Sequence, residues 1–257
     1  MKWGSRSWAR VGAAAFAAAL LYPLSAFFVR IGQWQWGKEV RGPALASIRV
    51  SLALTTLAMI VVVALGTPIA VYVARCRTRE RLIWQALLLV SILLPPLALG
   101  ILLALAFRPD GWVGGWLQYF GVRTSNSATA FVATQVYVSI GYYILGAVAA
   151  LESVPAMLLK QAALLGAAPW KVFVRITFPL ARLGLAAALS MAWVRALGEF
   201  GAVVVTAYYP SGMPVQLWNS LESFGLPAVM PLLMVFLGTA LPLPWLVHVL
   251  AQRRSHA

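Results

Sequence analysis

Long apolar runs, interrupted by short clusters of charge, proline and glycine, dominate the chain. Six of them reach the ~20 residues a helix needs to cross a hydrocarbon core of about 30 Å. They lie at residues 11–31, 48–74, 83–107, 128–151, 180–208 and 228–250. The runs are too long and too continuous for the short alternating strands of a membrane barrel. Helices satisfy their own backbone groups in lipid, so the pattern predicts an all-α membrane protein with six transmembrane helices.

Composition agrees with the pattern. Of 257 residues, 62% are hydrophobic and 10% charged, against about a quarter charged in a soluble domain. A net charge of +14 would suggest nucleic acid in a soluble chain. Here its distribution reads as topology. With an even number of spans, one side collects Lys2, Arg6, Arg10, Arg75, Arg77, Arg79, Arg81, Lys160, Lys171, Arg175, Arg182, Arg253 and Arg254. The other holds Arg30, Lys38, Arg41, Arg49, Arg108 and Arg123, while Arg195 falls within a span. Thirteen against six places both termini in the cytoplasm by the positive-inside bias, and no nucleic-acid partner is expected. Trp34, Trp36, Trp112, Trp116 and Trp218 fall near outer span ends, and Trp3, Trp8, Trp84 and Trp170 near inner ones. Two such belts mark a spanning bundle.

The first run follows basic residues, and Leu24-Ser25-Ala26 offers a weak cleavage-like site. It is longer than a typical signal-peptide core and continues through Phe27, Phe28 and Val29, so an uncleaved first helix is expected. The lone Cys76 excludes an intrachain disulfide and a thiolate metal cluster. One transmembrane domain over 1–257 is expected, with a core at about 48–250 and a first helix plus outer loop at 1–47.

Local features refine the spans. Pro95-Pro96 interrupts the third, where freed carbonyls must be satisfied by neighbouring helices. A kink facing the bundle interior is expected. In the fourth, Gln135, Ser139, Tyr142 and Gly146 make one polar stripe at helical spacing, which either ties helices together or lines a passage. In the fifth, Arg195 and Glu199 stand four apart and can neutralise each other on one helix face. Gly198 and Gly201 would admit another helix closely. Intramembrane ions usually face a bundle interior or a water-filled path. Arg195, Gly198, Glu199, Phe200, Gly201, Pro95, Pro96, Gln135 and Ser139 are thus pathway candidates.

Between the fourth and fifth runs lies a charged, punctuated segment that reads as two short helices. Pro155 suits the first turn, Gly166 the left-handed position ending it, and Pro169 the start of the second. Pro179 marks entry to span five. The first helix would present Met157, Leu158, Gln161, Ala162 and Leu165. From the residues alone, such a hairpin either lies on the lipid surface or docks in a partner's groove.

Gln161-Ala162-Ala163, Gly166 and Ile176-Thr177-Phe178-Pro179 resemble the loop by which ATP-binding-cassette importer permeases dock their ATPase. Gln161 stands where that family usually has Glu, and Phe178 where it often has Leu. The stretch from Arg195 to Ala202 is similar to molybdate and tungstate importer permeases, and sulfate permeases are similar there. Ala207-Tyr208-Tyr209-Pro210 and Leu221-Glu222-Ser223-Phe224-Gly225 resemble the tungstate/molybdate branch. The resemblance implies a type I importer fold, and ATPase coupling through Gln161, Ala162, Ala163, Leu165, Gly166, Ile176 and Pro179. It further implies a homodimer, two ATPase subunits that use ATP and magnesium, and an extracytoplasmic oxyanion-binding protein. The setting would be a bacterial inner or archaeal plasma membrane, with no cofactor bound by this chain. An ATP-independent carrier or channel and a membrane scaffold remain as alternatives.

Residues 32–39 mimic a phosphate-binding loop but put Glu39 where Ser or Thr would bind magnesium. His248 and His256 are the only histidines, and the six acidic residues are scattered. No ATPase, histidine-based triad or metal centre is expected of this chain.

Overall fold

The structure, a computed structural model, describes residues 4–29 and 37–240, together with 242, 244–246 and 249. Every described regular element is helical. Five helices are long and apolar enough to cross a membrane, or six if one sharply bent pair is counted as a span. The ends of the first and sixth predicted spans, Trp3, Trp34, Trp36, both histidines and most of the phosphate-loop mimic lie outside the described residues.

The first helix, α1 (Gly4–Val29), is exposed along nearly its whole length. α2 (Lys38–Val73) has 36 residues, about 54 Å at 1.5 Å per residue. It begins ten residues earlier than the apolar run suggested, so part of the expected outer loop is helix. Lys38, Arg41, Gly42 and Pro43 lower hydropathy there without ending the helix.

The third run is a break and not a kink. α3 (Thr78–Leu93) and α4 (Pro96–Ala106) meet at 106°. Leu94 and Pro95 are extended, and Pro96 opens α4 at its first turn, where its missing N–H costs nothing. α5 (Trp112–Tyr119) is a short helix in what the sequence read as a loop. α6 (Ala128–Glu152) starts at the Ser127 cap, whose Oγ accepts from the Ala130 N–H at 3.2 Å.

α7 (Ala156–Leu164) and α8 (Pro169–Val172) form the hairpin. A π turn (Phe173–Thr177) joins α8 to α9 (Phe178–Leu197). The fifth run therefore does not reach Tyr208 as one helix; α9 stops at Leu197, and α10 (Val203–Thr206) is a separate turn. α11 (Met213–Phe224) went unrecognised in the sequence. Gly225, at φ +75°, turns the chain into α12 (Leu226–Ala240).

α6 is the hub, packed on α2, α3 and α9. Lipid offers helices no net hydrophobic drive to associate, so close approach of small residues and polar ties must hold them. A methyl on Gly146 would come 2.8 Å from Ala188 Cβ, and one on Gly184 2.6 Å from Ala150 Cβ. α6 and α9 therefore touch almost backbone to backbone. Tyr143 Oη lies 2.7 Å from Thr67 Oγ1 of α2. At the hairpin side, Arg81 of α3 grips Glu152 of α6 through two oxygens, at 2.6 and 2.9 Å.

Candidate functional site

Two places concentrate the candidate residues, one at each end of a continuous helical rod. Residues Pro169–Leu197 run as one 29-residue helical stretch, with the hairpin at its start and a break at its end.

At the hairpin, α7 ends as the sequence predicted. Gly166 sits at φ +75°, its N–H donates to Ala163 O at 3.0 Å, and Ala167 N–H donates to Ala162 O at 3.1 Å. This pair of bonds satisfies carbonyls that the helix end leaves free. Pro155 stands just before the first turn, as N-cap, and Pro169 opens α8. Leu164, Leu165, Trp170 and Met157 are exposed, Leu165 by 88%. Gln161, Ala163, Gly166 and Pro179 are exposed as well, and Ile176 is half-buried. Ala162 corrects the sequence reading: it is buried within the hairpin and does not belong to the presented face. Leu164 takes its place on the exposed tip.

Beneath the hairpin lies a cavity of about 200 Å³ lined by Arg75, Glu152, Val154, Ala156, Leu159 and Thr177, among others. Thr177 Oγ1 is buried there without a protein partner. Though mostly apolar, the cavity also carries Arg75 and Glu152 and is roomy enough for an ordered water to satisfy it.

At the other end of the rod, two helix breaks cross. A methyl on Gly201 would lie 2.8 Å from Pro96 Cβ and 3.1 Å from the Leu97 N. One on Gly100 would lie 2.8 Å from Ala202 Cα. The Pro95-Pro96 interruption and the 198–202 interruption thus press directly on each other. Pro95 and Pro96 are themselves exposed in this chain and do not point into the bundle interior. Gly201 receives the close neighbour expected of it; Gly198 is exposed and meets no other helix within 3.4 Å of an added methyl.

Arg195 and Glu199 do pair, through Nη1 and Oε2. They do so across the end of α9 and not along a continuous helix, since Leu197 is its last residue. Glu199 is almost wholly buried, and its Oε1 accepts the Ala202 N–H at 2.7 Å. One carboxylate therefore holds both sides of the break. The Arg195 guanidinium also lies 5.9 Å from the Tyr142 ring centre. Phe200 packs on Trp218 of α11, their rings 5.7 Å apart.

Gln135 and Ser139 lie in the packed helix interface. Gln135 Nε2 donates to Thr55 Oγ1 at 2.9 Å and to Ala196 O at 3.0 Å, tying α2 and α6 to the last turn of α9. Ser139 Oγ donates back to Gln135 O at 2.5 Å. Gln135 thus acts as a tie between helices, whereas Ser139 bonds only within α6. Sequence reasoning missed Ser51, whose Oγ accepts the Met213 N–H at 2.7 Å and so anchors the start of α11. Only its place on the α2 face turned to the bundle could have marked it.

Among the described residues no cluster of three metal-ligating side chains occurs.

The sequence family and its relatives define a class: the permease subunits of ATP-binding-cassette importers. A chain of a bacterial alginate ABC transporter, crystallised with its periplasmic protein bound to alginate pentasaccharide, shares the fold at a TM-score of 0.75. The match covers 97% of this chain and 96% of that one at 14% identity. The chain belongs to the binding-protein-dependent transport system inner membrane components, whose sequence profile matches residues 66–256. The probable molybdenum ABC transporter permease protein of Haloferax volcanii is 36% identical over 200 residues, covering 78% of this chain and 73% of that protein. The molybdate/tungstate transport system permease protein of Thermococcus kodakarensis is 29% identical over 205 residues, covering 78% of each. The sulfate transport system permease protein of Escherichia coli is 26% identical over 242 residues, covering 91% and 87%.

Proposed function

We propose that this chain is the membrane subunit of a molybdate or tungstate importer, working as a homodimer with two separate ATPase subunits docked on the α7–α8 hairpins. The observation that carries this reading is the apolar tip of the hairpin. Leu164, Leu165 and Trp170 stand exposed on a stem fixed by buried Ala162 and Val172. An exposed apolar tip on an ordered stem is suited to insertion in a groove on another protein. The charge bias of the loops supports a cytoplasmic hairpin and cytoplasmic termini.

From that tip, the rod Pro169–Leu197 offers a direct mechanical path to the Glu199 break. Movement of the docked hairpin would shift α9 against α6 and change the contact between the two broken spans. Alternating opening of that contact to either side is the transport step proposed here. The dianion would cross through the dimer, shielded from lipid, where its unshielded transfer is prohibitive. A soluble binding protein would deliver it, so selection need not reside in this chain. The oxyanion assignment rests on the named relatives; sulfate, represented by the more distant one, is the second reading.

Reconstitution of the chain with its ATPase and binding protein in vesicles tests the proposal. ATP-dependent uptake of molybdate or tungstate is expected, with sulfate weaker. Uptake that ignores ATP, or a hairpin thiol labelled from the extracellular side of intact cells, would overturn it.

A further inference from the structure

The link between α4 and α6 carries a helix with an aromatic face set opposite a buried glycine, Gly114. In α5, Trp112, Trp116 and Tyr119, with Phe120 at the C-cap, recur at spacings of four, three and one. At 3.6 residues per turn these positions form a single stripe. All four rings are exposed, Trp112 by 99% and Tyr119 by 83%. They are ordered against each other: Trp116 meets Phe120 edge-on at 4.8 Å, and Tyr119 meets it at 5.5 Å.

The opposite face is seated on the end of α4. Gly114 is buried, and a methyl there would come 2.5 Å from Phe107 O and closer still to Arg108 O. Gly115, at the edge of the aromatic stripe, is close to the same turn: a methyl there would come 3.1 Å from Pro109 O. No side chain fits between α5 and the turn it rests on, so the rings are fixed pointing away from the bundle. With eight residues, about 12 Å, α5 is too short to cross a membrane. It leads through residues 120–127 into the end of α6 opposite the hairpin.

Two observations identify what covers the stripe. First, it continues an apolar flank. Exposed Leu102 and Leu105 on α4 lead to it, and Phe107 lines a groove between α2 and α6 with Leu54, Val61 and Val132. On a chain with membrane-spanning helices, a continuous exposed apolar flank suits contact with lipid chains. Second, α5 carries no ionised side chain, while the Arg108–Asp110 pair and Arg123 flank it. Tryptophan and tyrosine, each an apolar ring with one polar handle, concentrate where hydrocarbon gives way to headgroups. We propose that α5 is an interfacial anchor whose aromatic face lies in the bilayer at the headgroup–acyl boundary, in the leaflet opposite the hairpin. It would hold the far end of α4 at a fixed depth while the Pro96 end stays free to shift.

The test uses the full chain in phosphatidylethanolamine–phosphatidylglycerol vesicles, on a Cys76→Ser background, with single thiols carrying an environment-sensitive bimane. Trp116→Cys and Tyr119→Cys report the aromatic face; Gln118→Cys, exposed on the other side, is the control. Labels at 116 and 119 should emit further to the blue than at 118. Aqueous iodide should quench them several-fold less. Bromines near the glycerol end of the acyl chain should quench them more than bromines near its methyl end. Iodide quenching equal to that at 118 would overturn the proposal in favour of an aqueous face or a soluble partner's site. Protection from both iodide and bromolipid would overturn it in favour of burial against a second copy. Stronger quenching by the deeper bromines would overturn the boundary depth. Two reporter positions keep the test open if one variant fails to insert.

Discussion

Gly166 makes the sharpest test of the hairpin's role, because its conformation and its surroundings can be separated. Its φ is +75°, in the left-handed region, and an added Cβ would meet nothing within 4 Å. Any cost of substitution therefore comes from the backbone and not from a clash. An L-residue held in that region costs about 1–2 kcal/mol, and asparagine less, because its side chain bonds locally. A β-branched residue is the worst fit there. In Gly166→Val the isolated hairpin relieves this strain by loosening its turn, and docking must reimpose it. Up to that amount is then lost from ATPase affinity, roughly a 5–30-fold weakening. Gly166→Asn should weaken docking least, Gly166→Ala more and Gly166→Val most, with membrane insertion and thermal stability of the bundle unchanged. Titration of the purified permease in nanodiscs with labelled ATPase subunit reads the order directly. Wild-type affinity for Val, or equal losses for Asn and Val, would refute the reasoning; the latter would point to a lost contact with the glycine itself.

Other outcomes follow from the same geometry. Glu199→Ala strips Arg195 of its partner and Ala202 of its acceptor; removing one member of a buried pair costs about 3–5 kcal/mol, so folded yield in detergent should fall, whereas Glu199→Gln should retain the Ala202 bond and most of the yield. Gly146→Ala presses a methyl to 2.8 Å from Ala188 Cβ, an overpacking worth about 1–3 kcal/mol, to be read as a lowered Tm. Arg81→Ala removes a half-exposed pair and should cost about 0.2–1 kcal/mol, leaving Tm and uptake near wild type. Gln135→Leu deletes two hydrogen bonds but also an unpaired buried oxygen; its net effect on stability should stay within about 1 kcal/mol while vesicle uptake falls, because the last turn of α9 loses its tie.

Much of this was legible in the sequence. Spans built on uninterrupted apolar runs, α6 above all, appear almost where hydropathy puts them. The hairpin was readable because proline and glycine act locally: Gly166 adopts the backbone its position demanded. The breaks were not readable. Leu94 to Leu99 stays apolar across Pro95-Pro96, and in Ala196 to Val205 the one charge, Glu199, reads as half of an intrahelical pair with Arg195, so neither run signals that its helix stops. Whether a proline bends a helix or ends it is decided by what packs beside it, here one break against the other. α5 and α11 escaped because both are too short for a span and their glycines and prolines resemble loop punctuation. Ala162 was misjudged for a related reason: a small residue on an amphipathic helix suits close contact with either side.

The π turn at Phe173–Thr177 carries a last consequence. A single-turn π segment is in effect one residue inserted into an α-helix. Each residue of an α-helix advances it by about 100°, from 3.6 residues per turn. Excising one residue there would heal the helix and leave Leu164 and Leu165 close to their present azimuth, because the wider turn already absorbs the extra residue. The compass bearing of the docking tip is thus buffered at this turn against the loss of one residue, which in an unbroken helix would misdirect it by about 100°.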